Sequence, residues 1–582
     1  MSRNDEVASL LEEYAARLEA RDVSYKPNTY RRAADNVRDH PEPVEDLASE
    51  GVEAVQRIDG VGEAIAAKIV EYVETGEIAE LEEEREKLPV DIEELTAVEG
   101  VGPKTVGALY EALGIQSLDD LEAAAEAGEI REVSGFGETT EQNILSGIAF
   151  AREAQERELL GNARPVGESV LEFVRSHDAV ERADVGGSLR RWKPTIGDVD
   201  VLAASDDGEA VGRALTEWKR VGDTIDFGPT KTSVRMNGVR VDLRVVEDAE
   251  YGAALQYFTG NKGHNLTLRN RAIGRDLKVN EYGVFDVSGV ADEDAGQRVG
   301  ELLASETEED VYEAVGLPWM PPELREDRGE IEAAANGDLP DLVALEDVRG
   351  DLHTHTGWSD GALPIEDLVA GAAEFGHDYV CISDHAEGPG VVADSGLSGA
   401  ELREQADEIA SVRAEADIEV FHGTEANIDA DGDVGSVSDD VLADLDLVIA
   451  SPHSGLGNGE DQTERLIRAV EHPEVDVIGH PSGRLLNNRP AMEFDAGALG
   501  AAAADAGTAL EVNSNPHRLD LWGSAVKSAV EAGATVAIDT DAHSVGEFAY
   551  VEYGVHTARR GWAETGDVLN ARDADGVREF LG

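Results

Sequence analysis

Cysteine is almost absent. The single example, Cys381, lies in the apolar run YVCIS, so the chain can form no internal disulfide and the thiol is expected to be buried. Long apolar runs are also missing: no stretch approaches the roughly eighteen uncharged residues a spanning helix needs. The opening MSRNDEVASLLEEY has no apolar segment of the kind that directs export. A soluble, cytoplasmic protein with no membrane partner is expected. Positive charge is scarce as well, with 49 Lys and Arg against 122 Asp and Glu, a formal charge of −73. Because 41% of residues are hydrophobic and periodically spaced, the acid belongs to a folded surface rather than to a disordered chain. Such a surface suits molar salt, where the Debye length falls to roughly 3 Å and carboxylate repulsion becomes short-ranged. A salt-rich cytoplasm is the expected setting. The same deficit excludes a broad basic patch, so any nucleic-acid site must use backbone amides, bound metals and a few placed Arg or Lys residues.

A chain of 582 residues is long enough for three or four domains. Residues 1–155 alternate helical patterns with glycine hairpins, in RIDGVGEAIAAKIVEYV, AVEGVGPKTVGALYEAL and VSGFGETTEQNILSGI. From about 165 to 246 a helix precedes the β-rich segments ADVGGSLRRW, DVDVLAA and VRVDLRVV, and 247–316 reads as a small mixed module. The charged segment PPELREDRGEIEAAANGDLPD reads as a linker joined to a short helix. From 346 onward seven short apolar runs alternate with helical patterns: VRGDLHTH, YVCISDH, EVFHGTEANI, LVIASPH, VDVIGHP, ALEVNSN and TVAIDTDAH. Polar residues just after each run predict a parallel β/α barrel with its site at the C-terminal strand ends. Seven runs leave open a distorted barrel or an unseen eighth strand.

Eleven of the fourteen histidines follow residue 350. His353, His355, His385, His453, His480 and His543 sit at the ends of apolar runs, together with Asp360, Glu425 and Asp541. Imidazole and carboxylate suit zinc, manganese or iron, and alternation in DLHTH turns both histidines to one side. Nine ligands exceed the need of one ion; two or three could hold an attacking hydroxide and neutralise a phosphate. Upstream, Asp198 and Asp200 are two apart on one strand and Asp242 lies on another, an arrangement able to bind a pair of magnesium or manganese ions. Gly187 and Ser188 would let amides and a hydroxyl approach a triphosphate, and Arg191 would supply a fork of donors. Gly60-Val61-Gly62 and Gly100-Val101-Gly102 stand between helices, where their amides can bind DNA phosphates without reading bases; Gly135-Phe136-Gly137 is a weaker third case.

These motifs carry two family resemblances. DLHTHTGWSDG, SDHA, GTEANI, SPH, GHPSGR and TDAH resemble the polymerase and histidinol phosphatase (PHP) domain family over about 346–582. The resemblance implies a trinuclear site on a distorted (β/α)7 barrel with the nine residues above as ligands, and Arg484 and Asn513 as substrate or outer contacts. In polymerase-linked members it implies 3′–5′ exonuclease or 3′-end phosphoesterase activity. GGSLRRWKPTIGDVDVL resembles nucleotidyltransferases, and YFTGNKGHNLTLRNRA with LKVNEYGVF resembles family X, polymerase beta-like DNA polymerases. Carried across by position, Tyr257 and Phe258 would lie beside the incoming sugar, Asn265 would reach the base-pair minor groove and Arg269 would contact the template. Without the resemblance, Tyr257 and Phe258 read as a core pair. The first hairpin unit, with YKPNTYRRAA, resembles the family's amino-terminal lyase domain. There Lys68 matches the Schiff-base lysine, and Lys26 and Tyr30 match a 5′-phosphate pocket. Ala64 replaces another phosphate-binding lysine, so a DNA-contacting or solvated Lys68 remains an equal reading.

The whole resembles the bacterial and archaeal PolX type from a salt-loving organism. It implies a multidomain α and α/β architecture: a helical lyase-like region with helix-hairpin-helix (1–85), a second such region (86–160), a nucleotidyltransferase palm with mixed sheet (161–246), a nucleotide-selecting thumb-like module (247–316), a linker (317–345) and the PHP barrel (346–582). The partners implied are gapped or primer-template DNA and deoxynucleoside triphosphates, with the chain acting as a monomer. Two rivals remain at this level: a small-molecule phosphatase such as one acting on histidinol phosphate, and a non-catalytic DNA-end scaffold.

Overall fold

The computed structural model describes residues 3–582 apart from 24–25, 39, 41–42, 59, 97, 99, 156, 291–295, 389–395, 436 and 457–460. The chain forms two compact units, one of residues 1–156 with 487–489, the other of the remainder.

The first unit is helical and has two cores. Helices Arg3–Ala20, Lys26–Arg38 and Glu63–Thr75 bury Leu11, Ile58, Ile69 and Leu81 in one; Pro103–Leu113, Leu118–Glu126 and Glu138–Gln155 bury Leu109, Leu118, Leu121 and Ile144 in the other. Helices Arg3–Ala20 and Pro103–Leu113 approach so closely at Gly107 that a β-carbon there would sit 2.0 Å from the Ala20 carbonyl oxygen. Only glycine fits this crossing.

The second unit begins with a five-stranded mixed sheet ordered Arg182–Val185, Val199–Ala204, Val239–Val246, Lys231–Met236, Asp223–Phe227. Val199–Ala204 and Val239–Val246 run parallel; the other neighbours are antiparallel. Next come helices Tyr251–Thr259 and Lys262–Ile273 and a three-stranded antiparallel sheet ending at Glu301–Ala304. The expected linker at 317–345 is not free chain in its first half. Leu317, Met320, Ile331 and Ala334 join the core around Val311 and Tyr312. Its charges pair inside: Arg325, fully buried, donates to Glu308 at 2.6 Å, and Glu330 accepts from the buried His264 at 2.7 Å. Charged composition suggested exposure; reciprocal pairing made burial possible.

The barrel follows with seven strands parallel and in sequence order, Gly350–Thr354, Tyr379–Ile382, Glu419–Asn427, Leu447–Ser451, Val477–Ile478, Ala509–Asn513 and Val536–Asp539. Nearly every strand residue is buried, because helices such as Ile365–Phe375, Gly399–Arg413 and Val551–Arg560 cover the outer face. First and last strands meet: His355 N–H donates to the Ala542 carbonyl at 2.8 Å and Leu352 N–H to Asp539 Oδ1 at 2.8 Å. Seven strands thus make a nearly closed ring, with no eighth among the described residues of the barrel.

Candidate active sites

In the mixed sheet, Asp200 and Asp242 are direct cross-strand partners of the one parallel pair, and Asp198 immediately precedes the strand of Asp200. Their carboxylates come within 4.8 Å of one another. Burial, with Asp198 and Asp242 beside it, pushes Asp200 up to about 7. Three acids so close hold their charge only with cations among them. Burial acts to raise Asp242 too, but hydrogen bonds from Arg240 and Lys231, at 2.9 and 2.7 Å, keep it below its ordinary value. Gly187 adopts φ +56, and a β-carbon there would lie 2.3 Å from Asp200 Oδ2. The turn of GGSLRRW therefore brings its backbone against Asp200 at a spacing that only glycine permits.

The expected triphosphate ligand Arg191 is engaged elsewhere. It donates to Glu326 Oε1 at 2.9 Å and to the Thr259 carbonyl at 2.5 Å. Arg190 makes a two-pronged pair with Glu308, both at 2.9 Å. Tyr257 and Phe258 meet edge to face at 5.1 Å, half-buried, with Arg269 over Tyr257 and Arg244 over Phe258. Asn265 is fixed from both ends: its amide donates to the Tyr257 carbonyl at 2.7 Å and its oxygen accepts from Gln256 at 2.9 Å.

At the C-terminal ends of the barrel strands all nine expected residues converge. His355, Asp360, His385 and His543 form one group able to hold an ion, His353, His355 and Glu425 a second, and His385, Glu425 and His453 a third. His480 Nε2 lies 2.9 Å from Glu425, and Asp541 lies 3.2 Å from His355 Nε2. Buried His353 Nε2, both nitrogens of His355, His385 Nδ1, His480 Nδ1 and both oxygens of Glu425 have no hydrogen-bond partner. So many orphaned donor atoms facing one another fit metal ions. The surrounding charges act accordingly. Burial alone would raise Glu425 and Asp541, yet the histidines around them hold both far below the usual carboxylate range. Burial alone would lower His543, but Asp360 and Asp541 push it up to about 9. His480, whose largest influence is burial, falls to about 3. Asp360 and His543, each about a third exposed, mark the mouth of the site.

The outer contacts were only partly legible. Glu511 takes the His353 Nδ1 hydrogen bond at 2.7 Å, and Asn427 that of His453 Nδ1 at 2.6 Å, fixing each ring. Asn513 contacts Asp541 at 3.2 Å, as expected of an outer residue. Alternation from Asn513 already points Glu511 inward, which is the signal that could have found it. Arg484 spends its guanidinium on the backbone carbonyls of Arg518 and Leu519. The arginine beside the ligands is Arg518, 3.5 Å from Asp541.

In the helical unit, the first glycine of each hairpin has positive φ: +67 at Gly60, +79 at Gly100, +96 at Gly135. Gly62 and Gly102 are extended, exposed, and cap the helices that follow, with open space where a side chain would be. Lys68 is buried against Tyr14 and Tyr30 and paired with Glu80 at 3.1 Å. Burial acts to lower its pKa, but Glu80 and Tyr30 raise it above the ordinary value. That is opposite to what an imine-forming amine requires. Lys26 begins the helix that carries the buried Tyr30.

Comparison with known proteins agrees with this geometry. The DNA polymerase beta thumb matches residues 254–326, a helix-hairpin-helix domain 2–78, a SAM-like helix-hairpin-helix tandem 92–149, and the PHP domain 351–515. DNA polymerase lambda of Rattus norvegicus is 27% identical over 46% of this chain and 48% of its own length; that of Arabidopsis thaliana is 27% identical over 47% and 54%. The DNA polymerase/3′-5′ exonuclease PolX of Bacillus subtilis is 33% identical over 99% of both chains. With that full-length match and both kinds of site in one chain, the protein belongs to the PolX family, family X DNA polymerases that carry a PHP domain.

Proposed function

We propose that the chain is a DNA-directed DNA polymerase that fills gaps during repair and trims 3′ ends at a second, separate site. The observation that carries this reading is the coexistence of two donor clusters of different chemistry, an all-carboxylate triad and an imidazole and carboxylate cluster of seven grouped residues with His480 and Asp541 beside them. Asp198, Asp200 and Asp242 would hold Mg2+ or Mn2+, and the barrel residues two or three Zn2+, Mn2+ or Fe ions. Bound there, such ions lower the pKa of an attacking hydroxyl or water and neutralise phosphate charge. The remaining work falls to the chain. Gly187 and Ser188 would receive the triphosphate, Tyr257 and Phe258 would flank the sugar, Asn265 would probe the minor groove from a fixed rotamer, and Arg269 would meet the template. Arg191 would first have to leave Glu326. The Gly60–Gly62 and Gly100–Gly102 turns would grip DNA phosphates through backbone amides, which a strongly acidic chain can still offer. The charge of −73 fits a salt-rich cytoplasm. No described helix is long and apolar enough to cross a membrane. Lys68, held protonated, supports no lyase reading. The test is primer extension and 3′ trimming of labelled gapped DNA in molar potassium chloride with manganese. Extension without trimming, or trimming without extension, would remove one of the two activities.

A further inference from the structure

Asp384 is a fully buried carboxylate that directly precedes His385 yet lies outside the groups able to hold an ion. Its oxygens accept four hydrogen bonds instead. The Thr356 N–H at 2.8 Å and the Ser359 hydroxyl at 2.5 Å donate to one, the Thr356 hydroxyl and the Gln405 amide, each at 2.6 Å, to the other. An ionised carboxylate accepts about four such bonds and donates none, so Asp384 is saturated. Gln405, buried on helix Gly399–Arg413, is held at its far end as well. Its amide oxygen lies 3.2 Å from His422 Nε2, and burial pushes His422 down to about 4, so a neutral ring gives its one N–H to that oxygen. The amide therefore has a single orientation, with its NH2 toward Asp384. Thr356 and Ser359 belong to the loop that carries Asp360, and the Ser359 hydroxyl lies 3.1 Å from Asp360 itself. That loop turns tightly: Gly361 N–H donates to the Thr356 carbonyl at 2.9 Å, and a β-carbon at Gly361 would lie 2.3 Å from the His355 carbonyl oxygen. Asp360 is the only carboxylate in the group of His355, Asp360, His385 and His543, and it is 34% exposed where Glu425 is 1%. Its placement depends on the loop rather than on burial.

We infer that Asp384, oriented by Gln405 and His422, is the positioning residue that sets Asp360 and thereby the ion at the mouth of the barrel site. The inference rests on the reading of the barrel cluster as a metal centre. Asp384 touches no ion; it gives Thr356 and Ser359 one common acceptor. Without that acceptor the loop has more arrangements open to it, and Asp360 must be ordered at the moment an ion binds. The consequence is a mouth site of lower affinity whose chemistry at saturation is unchanged. The deeper donors do not share this dependence, because Glu511 holds His353 and Asn427 holds His453.

The test uses the full chain, loaded with manganese and then desalted, comparing wild type with Asp384→Asn, Gln405→Leu, Ser359→Ala and the hydroxyl-keeping Ser359→Thr. Elemental analysis counts the ions retained per chain, and 3′ trimming is followed against added manganese. Asp384→Asn and Gln405→Leu are expected to retain one ion fewer than wild type. Their half-saturating manganese concentration should rise about tenfold or more, with the trimming rate at saturation restored. Ser359→Ala moves the same values several-fold in the same direction, and Ser359→Thr keeps those of the wild type. Primer extension stays unchanged in all four and reports that the fold is intact. A wild-type ion count and half-saturation in Asp384→Asn would overturn the inference, whatever the rate. Where that buried substitution fails to fold, Ser359→Ala in the half-buried loop decides in the same way. Ion counts that differ as expected, in a wild type that trims no DNA end, would sink the nuclease reading and leave the positioning role standing.

Discussion

Single residues carry the division of labour between the sites. Asp200, raised to about 7 by burial and two acidic neighbours, is the group most dependent on a cation. Asp200→Asn is expected to abolish nucleotide incorporation and leave 3′ trimming at the wild-type rate, read on one labelled primer. Glu511 acts through another residue, holding the His353 ring so that Nε2 faces Glu425 and Asp541. Glu511→Gln should weaken metal retention at the barrel about 10- to 100-fold. Chelator competition measures that loss, and trimming should fall with it while extension stays. The expected barrel donors were legible because most of them end an apolar run, while Asp360 lies in the loop after the first. Arg518 was not, because it lies in a turn five residues past its strand and only folding brings it to Asp541. Arg484, picked out by its motif position, has its guanidinium spent on two backbone carbonyls.

At the scale of elements, the helix-hairpin-helix turns separate two uses of glycine that the sequence writes identically. Gly100 needs its left-handed φ of +79, so Gly100→Ala should cost about 1 kcal/mol and lower the melting temperature. Gly102 is extended with open space around it, so Gly102→Val meets no clash and costs only the loss of a better N-cap residue, under about 1 kcal/mol. Its side chain would instead block a phosphate from the amides, and DNA affinity should fall several-fold; an unchanged Kd would remove this turn from the DNA interface. The barrel strands were readable as seven apolar runs, since a strand buried on both faces leaves no polar alternation to confuse it. Residues 317–345 were not, because local composition cannot reveal that Arg325 and Glu330 find partners 17 and 66 residues away.

Across the whole molecule, acid and salt should act in opposite senses. Glu308, Glu323 and Glu326 knit palm, thumb and barrel together, each held down to about 2 by arginine or histidine partners despite burial that would raise it. A carboxylate depressed in the folded state contributes stability above its unfolded value, lost as pH falls toward the folded one. Stability of this unit should therefore drop between about pH 4.5 and 2, while these groups contribute no change from neutrality down to pH 5. Lowering potassium chloride from molar to about 0.1 M lengthens the Debye length to roughly 10 Å and should lower the melting temperature by exposing the acidic surface to its own repulsion. A melting temperature that rises on dilution would contradict the salt-adapted reading.

One chain carrying two independent phosphoryl chemistries should lose either without the other. The most direct test is a single labelled primer on gapped DNA in molar potassium chloride with manganese, with and without deoxynucleotides, comparing wild type, Asp198→Asn with Asp200→Asn, and His353→Ala. The paired aspartate change should remove extension and spare trimming, and His353→Ala should do the reverse. Loss of both reactions in either variant, with the fold intact, would contradict that independence.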